Sequence, residues 1–302
     1  MGEENNNKFV VFIISGGHGK VILATAVAEA IKKHYPDRKI IVVSAYDAPW
    51  YFNPHIYRFY TFDQLSNYFY DDFIRDKDTL LFQHDPYHTS DYMRKDTHLI
   101  KTWCEMFNIQ YNGEKPMLYI NPREKEIARD KIKPDLGKPI MLLQTNGGLP
   151  SQQYSKKSWA RDMPLKVAQN VVNFYSKQYR VIHIRLDEQP ALENVEQLTL
   201  PHREIYAVFE LSKKRIFIDS FAQHIAGALD LPSTVCWIVN KPEVFGYDIH
   251  NNVFPNQEMK NEMNKYSFID QYNITGMIQE FPFENTVNIF DVQDIIKKTN
   301  TI

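Results

Sequence analysis

Ser220 and His224 are the pair whose types and spacing point most directly to chemistry. They stand four residues apart in RIFIDSFAQHIAGALDLP (Arg215–Pro232), so a helix starting at Ser220 would carry both on one face. Arg215–Asp219 reads as a short buried strand. The small residues Ala222, Ala226, Gly227 and Ala228 then mark a helix that follows without a loop, with Ser220 as its N-cap. The backbone N–H groups of Phe221, Ala222 and Gln223, the positive end of the helix dipole and His224 one turn along would receive an anion, most naturally a phosphate. The same residues also fit an ordinary strand-to-helix turn with a packed histidine. Both readings stand at this point.

A second candidate is the loop SGGHGK (Ser15–Lys20). It matches neither common phosphate motif. A P-loop needs glycine where Ile14 stands and Ser or Thr where Val21 stands, and a dinucleotide fingerprint starting at Gly17 needs a glycine at Ile22. Gly17 and Gly19 thus mark a permissive turn that lets a substrate approach the backbone. Histidine and aspartate are the residue types that serve as general bases near neutral pH, so His18 and Asp85 are the candidates. A loop histidine and a strand-end turn aspartate are the plainer readings of those two. Asp76-Lys77-Asp78 has the D-x-D form of metal-dependent transferases but precedes a strand inside a charged stretch, and His88, Asp91 and His98 lack zinc spacing. No metal is expected.

These residues need a scaffold, and the strand runs supply one. Phe9–Ser15, Lys39–Ala45, Thr79–Gln83, Ile140–Gln144, Arg180–Ile184, Arg215–Asp219 and Ser233–Ile238 are short apolar runs. They alternate with helical patterns over Val21–His34, His98–Phe107, Glu124–Lys131 and Pro164–Ser176, and Lys115–Ile120 reads as strand-like. Strand, glycine turn, helix and strand in succession make right-handed βαβ units with parallel sheets. The pattern restarts after KPDLGKP (Lys133–Pro139), the best linker in the chain. This predicts an α/β protein of two Rossmann-like domains, residues 1–135 and 136–285, with a last amphipathic helix within 286–302. Ligands of open parallel sheets bind beyond the carboxyl ends of the strands. That rule selects Gly16–Lys20, Asp47, His84-Asp85, Asn146-Gly147-Gly148, Arg185–Glu188 and Asp219–His224.

Composition narrows the function. With 302 residues, 43% hydrophobic and 24% charged, the chain is of ordinary globular type. A net charge of −2 argues against binding nucleic acid by charge alone. Cys104 and Cys236 stand far apart, so a disulfide framework is not expected and a reducing compartment is. No apolar run approaches the ~20 residues of a membrane span, and MGEENNNK has no signal-peptide pattern. A cytoplasmic protein is expected, or one peripheral to a membrane.

Asp219-Ser220, His224, Ala226, Ala228-Leu229 and Leu231-Pro232 resemble the D-[ST]-G-x-x-H-x-A-[AG]-A-L-x-x-P signature of glycosyltransferase family 9, the ADP-heptose:lipopolysaccharide heptosyltransferases. The similarity runs from about Phe9 to about Pro242, and Phe221 departs from the family's glycine. The resemblance implies the GT-B architecture, two facing Rossmann-like domains, with a C-terminal helix that packs back on the first. It implies an inverting, metal-independent transfer of sugar from a nucleotide diphosphate sugar to a hydroxyl, with no separate cofactor. By the same match Thr145, Asn146 and Gly147 contact the donor and Lys157 neutralises its diphosphate. Asp219 to His224 hold the phosphates, and the Arg185–Glu188 loop takes the ribose, through Glu188. Gly17, Gly19, Lys20, Asp47 and His84 fall on the acceptor side.

Lys20 stands where the family carries its catalytic aspartate, and an ammonium accepts no proton at neutral pH unless burial depresses its pKa strongly. Either another group, His18 or Asp85, takes the proton, or the chain does not catalyse. The reading is a glycosyltransferase acting on a glycan, a lipopolysaccharide-type acceptor or a modified nucleobase. The alternatives are a silent nucleotide-sugar binding protein and a GT-B-type sugar epimerase.

Overall fold

The computed structural model describes residues 7–94, 96–135, 137–147, 161–238, 240–256 and 289–302. The chain forms two compact units, Met1–Ile120 and Asn121–Ile302. The first is built on β1 (Lys8–Ile14), β2 (Lys39–Ser44), β3 (Ile56–Thr61) and β4 (Asp78–Phe82), in the order β3-β2-β1-β4 with every pairing parallel. Val10, Val11, Phe12 and Ile14 are all buried, which is why KFVVFII shows no alternation: helices cover both faces of such a sheet. Its helices are α1 (His18–His34), α2 (Asn67–Phe73), α3 (Ser90–Arg94) and α4 (Leu99–Met106).

Helix α1 begins earlier than the glycines imply. Gly16 takes the left-handed turn (φ +104°), Gly17 is the N-cap, and His18, Gly19 and Lys20 already lie in the first helical turn. One glycine in an otherwise favourable helix costs only about 1 kcal/mol, which packing easily offsets. Lys115–Ile120 forms no strand. Leu118 within it and Glu114 just before it are buried, and the Met117 N–H donates to Thr25 Oγ1 (3.0 Å) on α1 instead of entering a sheet ladder.

The second unit runs α5 (Pro122–Ile132), β5 (Ile140–Leu143), α6 (Leu165–Tyr175), β6 (Arg180–Ile184), β7 (Glu196–Leu198), α7 (His202–Leu211), β8 (Ser212–Ile218), α8 (Phe221–Ala228), β9 (Thr234–Cys236), α9 (Pro242–Phe245), β10 (Asn251–Val253) and α10 (Val292–Asn300). Its sheet has the order β10-β9-β8-β5-β6-β7, again all parallel. Leu143, Val167, Val171, Ile216, Ile218, Phe290 and Ile295 belong to one apolar cluster, which packs α6 and α10 on the sheet.

The division between units falls ahead of the proline-rich segment. Arg203 pairs with Glu124 (2.5 Å), Lys131 with Glu204 (2.5 Å) and Lys125 with Glu210 (2.8 Å), tying α5 to α7. The C-terminal helix α10 also belongs to the second unit: Lys298 Nζ donates to the Asn252 carbonyl in β10, and Tyr175 on α6 donates to the Ile296 carbonyl. Among the described residues no helix is long and apolar enough to cross a membrane.

Candidate functional site

In each unit the strand order reverses at one point, between β1 and β4 in the first and between β5 and β8 in the second. Loops leaving neighbouring strands at such a point run in opposite directions and open a crevice at the carboxyl ends.

At the first point the structure joins Lys20 and Asp85. The Lys20 ammonium lies 2.6 Å from Asp85 Oδ2, with side-chain exposures of 4% and 24%. The carboxylate is thus the partner that solvent reaches. Lys20 Nζ also sits over the rings of Tyr87 (4.5 Å) and Trp103 (5.5 Å), which stabilises a cation away from water. Burial pulls the Lys20 ammonium below the usual lysine range, with the hydrogen bond and charge of Asp85 opposing that pull. Asp85 is held in turn by the Tyr87 N–H (3.0 Å).

His18 is buried in the first turn of α1 and stacks on Tyr46, with ring centroids 4.9 Å apart. Asp47 accepts from the Tyr51 hydroxyl (3.3 Å) and His84 is exposed. Gly16 fits closely against Lys20, whose Cδ would lie 3.1 Å from a Cβ there, whereas a Cβ on Gly17 would meet open space. Asp76 and Asp78 do not converge on one ion: Asp76 is in a left-handed turn, and both oxygens of Asp78 accept from Arg38 (2.9 Å each). Among the described residues no three His, Cys, Asp or Glu side chains form a group that could hold a metal.

At the second point the groups form a directed chain. Thr145 Oγ1 donates to Asn146 Oδ1 (2.8 Å), so it must accept from His183 Nε2, also 2.8 Å away. Asn146 Nδ2 donates to Asp162 Oδ2 (2.9 Å) and the Gly147 N–H to Asp162 Oδ1 (2.8 Å). A proton on Nε2 leaves His183 Nδ1 as a bare acceptor, and that atom has no partner among the described residues. Burial, with the Arg185 charge adding to it, pushes His183 down to about 4, so the ring is neutral and can play this role at pH 7. The turn after β5 is therefore held by side chains together with the Met163 N–H, which donates to the Thr145 carbonyl (2.8 Å).

Ser220 is the N-cap of α8, as its position in the sequence implies, but its hydroxyl makes no capping bond. Asp219 accepts from the Asn240 amide. His224 is buried and its Nδ1 lies 2.8 Å from the Tyr247 hydroxyl, while its Nε2 lies 3.3 Å from Gln223 Nε2. Gln223 itself donates to the Phe245 carbonyl (3.0 Å). Ala222 is buried, and the Phe221 ring packs edge-on towards His202 at the start of α7 (centroids 6.4 Å). The Arg185 guanidinium turns back into its own loop, donating to the carbonyls of Leu186, Asp187 and Gln189 and to Gln197 Oε1. Glu188 is exposed on the same loop. Lys157 and Gly148 lie outside the described residues.

Asp162, His183, Arg161 and Tyr247 escaped the sequence reading. Only His183 carried a signal, a polar residue near the end of the apolar run RVIHI. Tyr247 also explains Gly227. A Cβ there would stand 2.5 Å from Tyr247 Cδ2 and 2.6 Å from Cε2. Gly227→Ala is expected to cost about 1–3 kcal/mol, the usual range for overpacking, because a rigid ring that also bonds His224 must move. Urea denaturation checks this, and unchanged stability would show that Tyr247 yields freely.

Three solved structures are similar to this chain in fold. A glycosyltransferase of family 9 from Veillonella parvula DSM 2008 superposes with a TM-score of 0.67 at 14% identity, covering 98% of this chain and 97% of that one. E. coli ADP-heptose lps heptosyltransferase II gives 0.64 at 10% identity over 82% and 91%. E. coli heptosyltransferase WaaC with ADP gives 0.52 at 11% identity over 89% and 99%. The fold is GT-B. No protein-family model matches the sequence, and no curated protein matches it. The likeness to the GT-B enzymes is one of fold, and at 10–15% identity the side chains must speak for themselves.

Proposed function

We propose that this protein is a glycosyltransferase that moves a sugar from a nucleotide diphosphate sugar to an acceptor hydroxyl. The second unit binds the donor and the first supplies the base. The observation that carries the reading is the pairing of a GT-B fold with a built polar site where β5 meets β8: a turn locked by Thr145, Asn146 and Asp162 beside the N-terminus of α8. Such a terminus favours phosphate through its unpaired N–H groups and dipole. In the reaction the acceptor O–H loses its proton to the Asp85 carboxylate and its oxygen attacks the anomeric carbon. The bond from that carbon to the phosphate oxygen breaks, and the nucleoside diphosphate leaves with the electron pair. Attack opposite the leaving group inverts the anomeric centre. Asp85 is preferred over His18 because its carboxylate is the more exposed and is oriented by Lys20.

Protein groups, not a divalent cation, meet the diphosphate charge in this reading, so turnover is expected to be the same with EDTA. The acceptor is a glycan, of lipopolysaccharide type in the first instance. The direct test is to incubate the protein with ADP-, UDP- and GDP-sugars, with and without lipopolysaccharide core acceptors, and to measure released nucleoside diphosphate. Acceptor-dependent release supports transfer. Conversion of donor alone to an isomer would replace it with epimerisation. A specific observation also favours silent binding, the close ion pair that engages the Asp85 charge. Donor binding without release for every donor and acceptor would decide for it.

A further inference from the structure

We infer that Arg161 is a phosphate-binding residue of the second unit's site, an inference that rests on the donor-binding reading above. The starting point is Gly147. Its φ is not in the left-handed region, so its backbone would accept other residues and space alone accounts for glycine. A Cβ there would lie 3.3 Å from Ser220 Oγ and 3.7 Å from Arg161 Cζ. A hydroxyl and a guanidinium therefore converge over the point where the chain leaving β5 carries no side chain, beside the start of α8.

Each partner has a property that suits an anion. Ser220 is 8% exposed, yet its hydroxyl makes no bond to the helix it caps, although a serine at this position ordinarily satisfies an N–H of the first turn. The hydroxyl is directed at Gly147 instead. Arg161 is half-buried, and a guanidinium offers a planar fork that matches two phosphate oxygens. The neighbouring Asp162 uses both carboxylate oxygens on Asn146 and Gly147, so the Arg161-Asp162 dipeptide clasps the turn from one side and brings the guanidinium to it.

The electrostatic balance of the region calls for this cation. Asp162 and Asp219 are both close to the switch point and would repel a diphosphate. His183, bonded to Thr145 in the same turn, is neutral and adds no positive charge.

The test is calorimetric titration of the full chain with ADP, UDP, GDP and inorganic pyrophosphate. Arg161→Gln is expected to weaken the best-bound of these at least tenfold while leaving the affinity for the matching nucleoside within twofold. Arg161→Lys, which keeps the charge and loses the fork, is expected to lose at least threefold. A loss below tenfold in Arg161→Gln overturns the inference, as does an equal loss for the nucleoside. If Arg161→Gln shows no cooperative thermal unfolding, Arg161→Lys decides, with less than threefold overturning it. A wild-type protein that binds none of the four probes sinks the donor-binding reading itself, an outcome separate from either variant's.

Discussion

Asp85→Asn is expected to lower glycosyl transfer by about 10²–10⁴-fold, the usual worth of a positioned general base, while donor affinity stays near wild type. The substitution keeps the shape and an oxygen acceptor for the Tyr87 N–H but removes the charge that faces Lys20. Because the Lys20 side chain is 4% exposed, losing its counter-charge also leaves a buried cation less well compensated, and a drop in stability is expected alongside the loss of turnover. The two effects separate experimentally. Lys20→Met removes the same ion pair and leaves the carboxylate, so it is expected to retain far more activity than Asp85→Asn. His18→Gln serves as the competing variant, since that ring is stacked on Tyr46. Turnover above a tenth of wild type in Asp85→Asn, with a large loss in His18→Gln, would move the base to the histidine.

The second large effect is on stability in mild acid. Burial is the main cause that pushes both His183 and His250 down to about 4 from an ordinary 6.5. The sign follows from which state takes the proton. Above pH 6.5 both rings are neutral, folded or unfolded, and stability is at its full value. Between pH 6.5 and 4 the unfolded chain binds protons that the folded chain refuses, so stability falls as pH falls. The difference of 2.5 units (6.5 − 4) corresponds to about 3 kcal/mol for each ring, at about 1.4 kcal/mol per unit. That is a large part of a typical domain's 5–15 kcal/mol.

Carboxylates held low in the folded state, such as Glu196 beside Arg180 and Glu124, where burial pulls upward but Arg203 and the Asn121 N–H together outweigh it, lose stability in the same direction. They do so only as pH approaches the carboxylate range, so the interval from pH 6.5 to 5 isolates the histidines. Urea denaturation at pH 7.5, 6, 5.5 and 5 measures the slope. His183→Gln and His250→Gln should each reduce it by close to one proton, and a flat profile in the wild type would refute the assignment.

Local physics made much of this molecule legible. A run such as KFVVFII is apolar throughout because a parallel strand is covered on both faces, so β1, β2, β5, β6 and β8 could be located from residue type alone. Ser220 as an N-cap followed from a strand that ends where small residues begin. Strand β3, IYRFYT, was not legible, because an edge strand with Tyr57 and Arg58 exposed lacks the continuous apolar signal. Strands β7 and β10 span three residues each, too few for any period to register.

What the sequence by itself determined was the class of the fold and the strand ends and helix start at which a ligand is proposed to bind. Both follow from short-range regularities: apolar runs, glycine turns and the chemistry of a helix start. What only the tertiary structure decided was which side chains meet there. Lys20 finds Asp85, Thr145 finds His183, Asp162 takes the Gly147 N–H and Tyr247 takes His224. Each pair joins segments far apart in the chain, brought together by the order of strands in a parallel sheet, and that order is set by crossovers and by packing across the whole unit. The same cause turned a lysine in a loop of unassigned purpose into the buried partner of a carboxylate.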